Sequence, residues 1–546
     1  MNVKTALLSV VGCASLFSCS NDDVYNPNWA KEQYASNFES EFGKIDPLQT
    51  WNTATSRTVN VSVSYGGDED YTIRIYTSDP YSAETQAYLL AEYGMKDGET
   101  QALAFDAPAT LQNFYVSRVN KDGYSVTHAV AVDDLNVTFG GKTGATTRTV
   151  SYIKRVDNDL STENGMSFKE SDIQKVRAVF GEGRDNRENV SFDFHINSGT
   201  IRVYPVYSST AAKEIVGVYD IHRREQTCWN NNTGIAYGAI KRRKGTTGAW
   251  EDYDNKQDPF VVDEKDGLKY TEVWSEKYTT FDISEEQGNS LSFWITNTPY
   301  TYYSDKAMNT FDNKEHAAAI EGVTVNGQEC LFIGFEDSYN YGVDADFDDV
   351  VICVVGDYEF ERKDEPAKPA KPMEYLIAYE DLGDTDDFDF NDIVLSVSHV
   401  SGATTATVKL LAAGGSLPTH VSYGNQALFD GKEVHDAFGV PVSTMVNTGN
   451  YTYTGNEIKT EITVPTDFSM TKNGSEFKIS VVQKGGEQTD IMLPSHTGVA
   501  PQAFVVSDPN WEWPSERVKI TEKYPAFKDW IQSMNAGGSW YEAEWK

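Results

Sequence analysis

The sequence "DADFDDVVICV" occupies residues 344–354, and "DFDFNDIVLSV" occupies residues 387–397. Both stretches follow one frame, Asp-x-Asp-Phe-Asp/Asn-Asp, and continue into β-branched residues. β-branched residues favour strands, whereas Asp disfavours them. Each frame therefore predicts an acidic loop that leads directly into a buried strand.

The residues before each frame repeat as well. An apolar run ends in Phe335-Glu336-Asp337 before the first frame and in Tyr379-Glu380-Asp381 before the second. A short Gly-containing loop follows in both cases. The chain is thus expected to build two antiparallel hairpins whose loops are acidic at both ends. In an extended backbone Asp344, Asp346 and Asp348 would point to one side, and Phe347 would point into the core.

Crowded carboxylates indicate a bound cation. Two unit charges about 4 Å apart repel by about 1 kcal/mol in water and by more near a protein surface. Ca²⁺ takes roughly six to eight oxygen ligands in flexible geometry. We predict two calcium sites, with ligands from Glu336, Asp337, Asp344, Asp346, Asp348 and Asp349 in the first, and from Glu380, Asp381, Asp387, Asp389, Asn391 and Asp392 in the second.

An EF-hand does not explain the frames. That loop needs Gly at its sixth position and Glu at its twelfth. Counted from Asp344, those positions hold Asp349 and Val355; counted from Asp387, they hold Asp392 and Ser398. A solvated acidic turn, in which Asp and Asn bond to nearby backbone, is the alternative interpretation.

The N-terminal segment indicates export. Lys4 precedes a short apolar run, and Leu16-Phe17-Ser18-Cys19 resembles a lipobox. We predict a signal peptide over residues 1–18 and lipidation of Cys19; an ordinary signal peptide is the alternative. The acidic run 20–23 resembles surface-export signals of Gram-negative lipoproteins. Since no later segment offers about 20 consecutive apolar residues, lipid is the one membrane attachment expected, at the outer membrane and exposed on the surface.

Charge and cysteine content exclude several function classes. The formal net charge is −36, a field that repels nucleic acid and attracts cations, so no nucleic-acid partner is expected. There is no Cys-x-x-Cys motif for zinc or redox chemistry. Cys330 and Cys353 flank the first frame, where a disulfide and a pair of buried thiols are both consistent with the sequence.

Period-two alternation and turn residues predict a mainly β protein of serial antiparallel β-sandwich domains with short N-terminal and C-terminal helices. Aromatic residues near helical spacing in residues 29–44 predict the first helix. Proline at 366, 369 and 372 predicts a semi-rigid spacer. The expected units are a lipidated N-terminus and helix (19–57), an immunoglobulin-like β-sandwich (58–149), a β-sandwich with the first acidic loop (150–360), a linker (361–373) and a C-terminal β domain with the second acidic loop (374–546).

Several blocks together resemble a known family. These are "TYYSDKAMNTFDNKEHAAAIEG", "GFEDSYNYGVDADFDDVV", "AYEDLGDTDDFDFNDIVLSV", "LLAAGGSLPTHV" and "EVHDAFG". Residues 300–546 are similar to the LruC-domain family of bacterial envelope lipoproteins, and the first blocks resemble the calcium-associated module that often precedes that domain. Asp348 departs from the commoner Asn of the frame. The resemblance implies an envelope location and says little about activity.

Catalytic motifs are missing from the sequence. It contains no His-Glu-x-x-His, no Gly-x-Ser-x-Gly and no complete phosphate loop. His435, between Glu433 and Asp436, could join a metal site, although a hydrogen-bonded structural role is the commoner one. We expect a non-enzymatic protein that binds an extracellular glycan or protein. A structural or accessory subunit of a surface fibre or envelope assembly is the alternative, and an enzyme acting on polysaccharide is less favoured.

Overall fold

The computed structural model describes residues 29–65, 68–82, 84–140, 154–155, 170–180, 193–208, 215–220, 236–237, 242–243, 250–251, 261–265, 268–272, 279–282, 290–297, 300–339, 345–363, 370–383, 386–449, 451–534 and 539–541. The chain is mainly β, with several antiparallel sheets and few short helices, which confirms the predicted fold class. The signal peptide, Cys19 and Asp344 lie outside the described residues. No described helix is long and apolar enough to cross a membrane.

The N-terminal part consists of one helix, a three-stranded sheet and four strands of a larger sheet that continues into the middle part. Its elements are α1 (Trp29–Phe42), β1 (Ala54–Ser64), β2 (Asp70–Tyr76), β3 (Tyr88–Lys96), β4 (Thr100–Pro108), β5 (Asn113–Val119), β6 (Ser125–Ala131) and β7 (Asn136–Gly140). β1 pairs antiparallel with β4 and parallel with β7, and β2 lies between β3 and β5. Alternate residues of β1, namely Val59, Val61 and Val63, are buried, as period-two patterning predicts.

The middle part is organised around two long strands. Its elements are β8 (Lys154–Arg155), α2 (Glu170–Arg177), β9 (Asp193–Ser208), β10 (Ile215–Asp220), β11 (Ala236–Tyr237), β12 (Arg242–Arg243), β13 (Trp250–Glu251), β14 (Val261–Lys265), β15 (Leu268–Glu272), β16 (Thr279–Asp282), β17 (Ser290–Asn297), β18 (Tyr300–Tyr303), β19 (Ala317–Val325), β20 (Gln328–Phe335) and β21 (Val350–Lys363). β21 pairs antiparallel with both β9 and β20. The strand predicted after the first acidic frame is thus central to this sheet.

The C-terminal part is a pair of sheets with short helices. Its elements are β22 (Lys371–Pro372), β23 (Glu374–Tyr379), β24 (Ile393–Ser398), β25 (Thr405–Ala413), β26 (Thr419–Tyr423), β27 (Gln426–Ala427), α3 (Val434–Phe438), β28 (Ile458–Thr463), α4 (Met470–Asn473), β29 (Phe477–Val482), β30 (Gln488–Met492), β31 (Ala503–Val506), α5 (Ile520–Lys523) and α6 (Phe527–Gln532). One sheet has the order β28-β25-β24-β23-β31, and the other has the order β27-β26-β29-β30.

One apolar core extends through the N-terminal and C-terminal parts. It includes Phe38 of α1, Val61 of β1, Leu395 of β24 and Trp530 of α6, all of them buried. β22 pairs in parallel with β3 and lies inside the predicted linker (361–373), whose residues 364–369 are outside the described part. α1 therefore packs inside the fold, although the sequence pattern placed it in a separate N-terminal unit; the predicted domain boundaries stay predictions.

Candidate metal sites

The two acidic frames occupy equivalent positions in two antiparallel hairpins. β20 pairs with β21 so that Phe335 lies opposite Val350, and β23 pairs with β24 so that Tyr379 lies opposite Ile393. In each hairpin the aromatic residue before Glu-Asp thus faces the first β-branched residue after the frame. The repeated sequence therefore corresponds to a repeated register.

Two hydrogen bonds recur in both loops. The Asp337 amide donates to Oδ2 of Asp349 at 2.7 Å, and the Asp381 amide donates to Oδ2 of Asp392 at 2.7 Å. Within the frames, the amide of Asp348 donates to Oδ1 of Asp346 at 3.4 Å. The amide of Asn391 likewise donates to Oδ1 of Asp389 at 3.2 Å. The last acid of each frame therefore closes its own hairpin loop.

The backbone of the frames is not extended, contrary to our expectation. Phe347, Phe388 and Phe390 have φ of 56°, 52° and 52°, in the left-handed region, and no described residue of either frame before β21 or β24 belongs to a regular strand. A residue in the left-handed region interrupts the extended backbone of a strand. The separation of core Phe from acidic neighbours therefore comes from these turns rather than from strand alternation.

The phenylalanines of the second frame are enclosed by aromatic rings. Phe388 packs against Tyr34, Phe38 and Phe42 of α1, with ring centroids 5.4, 5.5 and 5.2 Å away. Phe390 packs against Phe504 of β31 at 4.7 Å. The acids between these rings are held at the boundary of the core, where their charges are poorly solvated.

The structure brings together part of each predicted ligand set. Carboxylate oxygens of Glu336, Asp337 and Asp349 lie within 4.8 Å of one another, as do those of Glu380, Asp387 and Asp389. Asp346 and Asp348 are buried in the first loop but do not join its group of three. Asp344, the counterpart of Asp387, lies outside the described residues.

Asp381, Asp392 and Asn391 form the other side of the second loop. Asp381 and Asp392 share the backbone hydrogen bond described above, and both approach Gly415. Asn391 donates from Nδ2 to the carbonyl oxygen of Pro514 at 3.1 Å, while its buried Oδ1 has no hydrogen-bond partner among the described residues. Asn391 thus carries a buried amide oxygen next to Gly414 that is free to act as a ligand.

Burial and mutual repulsion raise the pKa of the clustered acids. Desolvation, followed by the charge of Asp387, raises the pKa of Asp389 to about 8. The pKa of Glu380 is well above its ordinary value, mainly because the side chain is desolvated and secondly because the charge of Asp392 is close. In the first loop the pKa of Asp349 is raised in the same way, by desolvation and then by the charge of Asp337. A nearby cation would reverse this effect, because opposite charge favours the ionised form.

The sequence pattern missed a segment that closes the second site from a distance. The amide of Arg517 donates to Oδ2 of Asp389 at 2.7 Å, and the amide of Ile520 donates to the carbonyl oxygen of Phe388 at 2.9 Å. Glu516 lies close to the same acids, and its pKa is raised to about 7, mainly by desolvation and secondly by the charge of Asp387. No local pattern indicates these contacts, since more than 120 residues separate the partners.

Gly414 and Gly415 leave room for the second site. A Cβ at Gly414 would lie 2.2 Å from Oδ1 of Asn391, and a Cβ at Gly415 would lie 2.7 Å from Oδ2 of Asp381. Real Cβ atoms do not approach oxygen so closely. The pair of glycines in "LLAAGGSLP" therefore has a steric reason, which the sequence alone did not show.

Neither His316 nor the candidate His435 belongs to a described carboxylate group. Nδ1 of His316 donates to the carbonyl oxygen of Glu336 at 3.0 Å. Its other ring nitrogen, Nε2, lies 2.9 Å from Oδ2 of Asp312. His435 donates from Nδ1 to Oε1 of Glu433 at 2.8 Å, and Glu433 caps α3. His316 therefore supports the first acidic loop through its backbone, and His435 fixes the start of α3.

Cys330 and Cys353 are buried free thiols on the adjacent strands β20 and β21. A hydrogen bond from one thiol to the other lowers the pKa of Cys330, whereas burial raises that of Cys353. The two side chains are thus neighbours, and the disulfide between them stays a prediction.

Comparison with known families identifies one region of the chain. A family model described as a domain of unknown function, DUF4842, matches residues 486–541. This region contains β30, β31, α5 and α6, together with the segment that closes the second acidic site. No curated protein and no solved structure matches the chain. The resemblance to the LruC-domain family stays a prediction.

Proposed function

We propose that the protein is a lipid-anchored, surface-exposed binding protein of the outer membrane whose β domains are stabilised by Ca²⁺ at the two acidic hairpins. One observation carries the metal part of the proposal. An acidic loop with a buried Glu at its start occurs twice, with the same strand register and the same closing hydrogen bond, and Glu336 and its counterpart Glu380 are the position common to the two carboxylate groups.

The donor chemistry favours calcium among common cations. The clustered donors are carboxylate oxygens, and Asn391 of the second loop adds a buried amide oxygen. Ca²⁺ prefers oxygen ligands in flexible arrangements. Zn²⁺ is usually held by His and Cys, and neither acidic group contains them. Mg²⁺ requires a smaller, near-octahedral shell and retains several waters. Loops with five or six acids among their predicted ligands suit the larger ion.

The binding role follows from the expected anchor and from the arrangement of the β units. The absence of catalytic sequence motifs favours binding over turnover. An acidic chain with net charge −36 does not suit nucleic acid, so the proposed partners are extracellular glycans or proteins. Attachment to the membrane would be through lipid on Cys19 only.

Calorimetry of the metal-free protein tests the metal proposal. Ca²⁺ at 100 times its Kd should stabilise each site by about 2.7 kcal/mol, which raises Tm by about 5–10 °C for a unit of this size. Asp337→Ala should reduce the gain of the first site and Asp389→Ala that of the second. Asp133→Ala, an exposed acid of the N-terminal part, is the matched control and should retain the full gain.

The outcome is decisive in both directions. If the Tm of the metal-free wild type is the same in Ca²⁺ and in EDTA, the calcium proposal is wrong. If Mg²⁺ gives an equal gain, the sites are not selective for the larger ion. The binding role is tested separately, by retention of the intact protein on arrays of glycans and of matrix proteins.

A further inference from the structure

A cavity of about 290 Å³ lies where the N-terminal strands meet the C-terminal part. Its wall combines the loop after β2, the turn after β4 and the segment after β31. Thr85, Tyr88, Leu111, Asp508 and Tyr541 are among the residues that line it. The acidic hairpins contribute no residue to the wall, so the cavity is separate from the candidate metal sites.

The size of the cavity limits its occupant. Ligand pockets typically have volumes of about 300–1,000 Å³, so this cavity lies at the small end of the range. A single ring-sized unit suits it better than a large cofactor. The cavity also opens to solvent beside Glu84 and Thr85, which are exposed. The end or branch of a longer chain could therefore enter it.

The charge of the wall excludes anions. Glu84 and Asp508 line the cavity, and Lys, Arg and His are all missing from its described lining. Asp508 is mostly buried and accepts a hydrogen bond from the amide of Asn510 at 2.8 Å. An anionic ligand would meet these carboxylates without a compensating cation, which is costly in a partly desolvated site.

Neutral polar groups outnumber the charged ones on an otherwise apolar wall. Hydroxyl or amide groups come from Thr77, Ser78, Gln86, Thr110, Ser507 and Tyr541. Oγ of Ser78 is buried and has no hydrogen-bond partner among the described residues. Buried hydroxyls normally have partners, so Ser78 offers a hydrogen bond to an occupant. Leu111 and Met373 provide apolar contact.

We infer that this cavity binds one ring of a neutral saccharide, through hydroxyl hydrogen bonds and contact with the apolar wall. A pyranose ring has both hydroxyl donors, which suit Asp508 and Ser78, and an apolar face, which suits Leu111 and the ring of Tyr88. An organic cation would pair with the two carboxylates but offers fewer hydrogen-bonding groups to Oγ of Ser78 than a sugar ring does. This inference rests on the proposed binding function and assigns it a place and a ligand class.

Saturation-transfer NMR on the intact protein, with a panel of neutral mono- and disaccharides and with choline as the organic cation, tests the inference. At least one neutral sugar should bind. Thr85→Trp, which fills the mouth of the cavity, should weaken that binding at least tenfold. Ser78→Ala should weaken it about 2- to 10-fold, the range expected for one neutral hydrogen bond. Thr58→Trp, on an exposed position of β1 away from the cavity, is the matched control and should bind as the wild type does.

The outcomes separate this inference from the proposed function. If a neutral sugar binds and Thr85→Trp binds it equally well, the cavity is not the site, although the binding function stands. If choline binds and no neutral sugar does, the ligand class is wrong. If the protein binds only anionic glycans or proteins on arrays, the inference fails and the binding function survives. The absence of any effect of Ca²⁺ on Tm would contradict the calcium proposal but would leave the sugar-binding inference and the binding function untouched.

Discussion

Three phenylalanines of the acidic frames have a backbone conformation that non-glycine residues rarely adopt. A residue in this region costs on the order of 1–3 kcal/mol and persists only where its surroundings determine it. For Phe388 the surroundings are the rings of Tyr34, Phe38 and Phe42, and for Phe390 they are Phe504 and Phe527. Aromatic packing thus stabilises the turns that place carboxylates side by side.

Adding one methyl group at Gly414 tests the packing of the second site. Gly414→Ala should destabilise the protein by about 1–3 kcal/mol, because the added carbon would lie 2.2 Å from Oδ1 of Asn391 and 2.8 Å from its carbonyl oxygen. The variant should also lose part of the stabilisation that Ca²⁺ gives to the wild type. Urea unfolding with and without Ca²⁺ measures both effects.

Gly485→Ala is the matched control, since a Cβ there meets no atom within 4 Å. Its unfolding midpoint and its Ca²⁺ gain should equal those of the wild type within error. Equal stability of the two alanine variants would show that the close approach of Gly414 to Asn391 does not constrain the site.

At the scale of elements, the sequence predicted the local structure well. The helix expected over residues 29–44 is α1, and both frames lead directly into β21 and β24. Ser167-x-x-Glu170 has the sequence of a capping box, and α2 begins at Glu170. These features depend on neighbours in sequence, through periodicity, caps and β-branched runs, so they can be predicted without tertiary information.

The missing features depend on distant partners. The left-handed turns at Phe388 and Phe390 exist because α1, β31 and α6 enclose the rings. Glu516 joins the second acidic group only after the C-terminal segment folds back onto the frame. Spacing in the sequence carries no information about such contacts, and so the composition of each ligand group could be predicted only in part.

A buried ion pair connects elements of the N-terminal and middle parts. Arg118 of β5 contacts Glu361 of β21, and it also donates to the hydroxyl of Tyr65 from Nε at 3.0 Å and from Nη2 at 2.9 Å. Arg118→Met should destabilise the protein by about 3–5 kcal/mol, because it leaves the carboxylate of Glu361 buried without its cation. The double variant Arg118→Met with Glu361→Met should recover most of the loss. Urea unfolding of the four proteins in the cycle provides the comparison.

Arg74 and Glu92 form the matched exposed pair, with a distance of 2.7 Å and side chains that are 41% and 45% exposed. Arg74→Met should cost no more than about 1 kcal/mol, since solvent screens such pairs. A similar loss in both single variants would mean that burial of the Arg118 pair has no special effect on stability.

At the scale of the whole molecule, the second acidic hairpin lies where the two ends of the described chain meet. α1 covers Phe388, and the segment 514–520 bonds to the frame from the other side. α6 continues the same core through Phe527, whose ring lies 6.2 Å from Phe390. A cation at this hairpin would therefore stabilise the junction of three distant segments, and its loss should affect the global transition.

The raised pKa values predict how stability depends on pH. Asp389 has an ordinary value of 3.8 and a folded pKa of about 8, and Glu516 changes from 4.5 to about 7. The folded state holds these protons more tightly than the unfolded state does. Their contribution is therefore complete below about pH 4 and is lost as the pH rises through 7 and 8. In EDTA, Tm should fall across this window.

Calcium should oppose that fall, because it binds the ionised carboxylates that protons otherwise occupy. The difference in Tm between Ca²⁺ and EDTA should consequently be small at pH 5 and large at pH 8. Asp389→Asn should flatten the dependence of Tm on pH in EDTA. It should also reduce the difference in Tm between Ca²⁺ and EDTA at pH 8, since it removes a carboxylate charge close to Glu380 and Asp387. Asp133→Asn should leave both curves unchanged. A calcium effect of equal size at pH 5 and pH 8 would contradict the coupling, because an ion that does not compete with protons is not held by these acids.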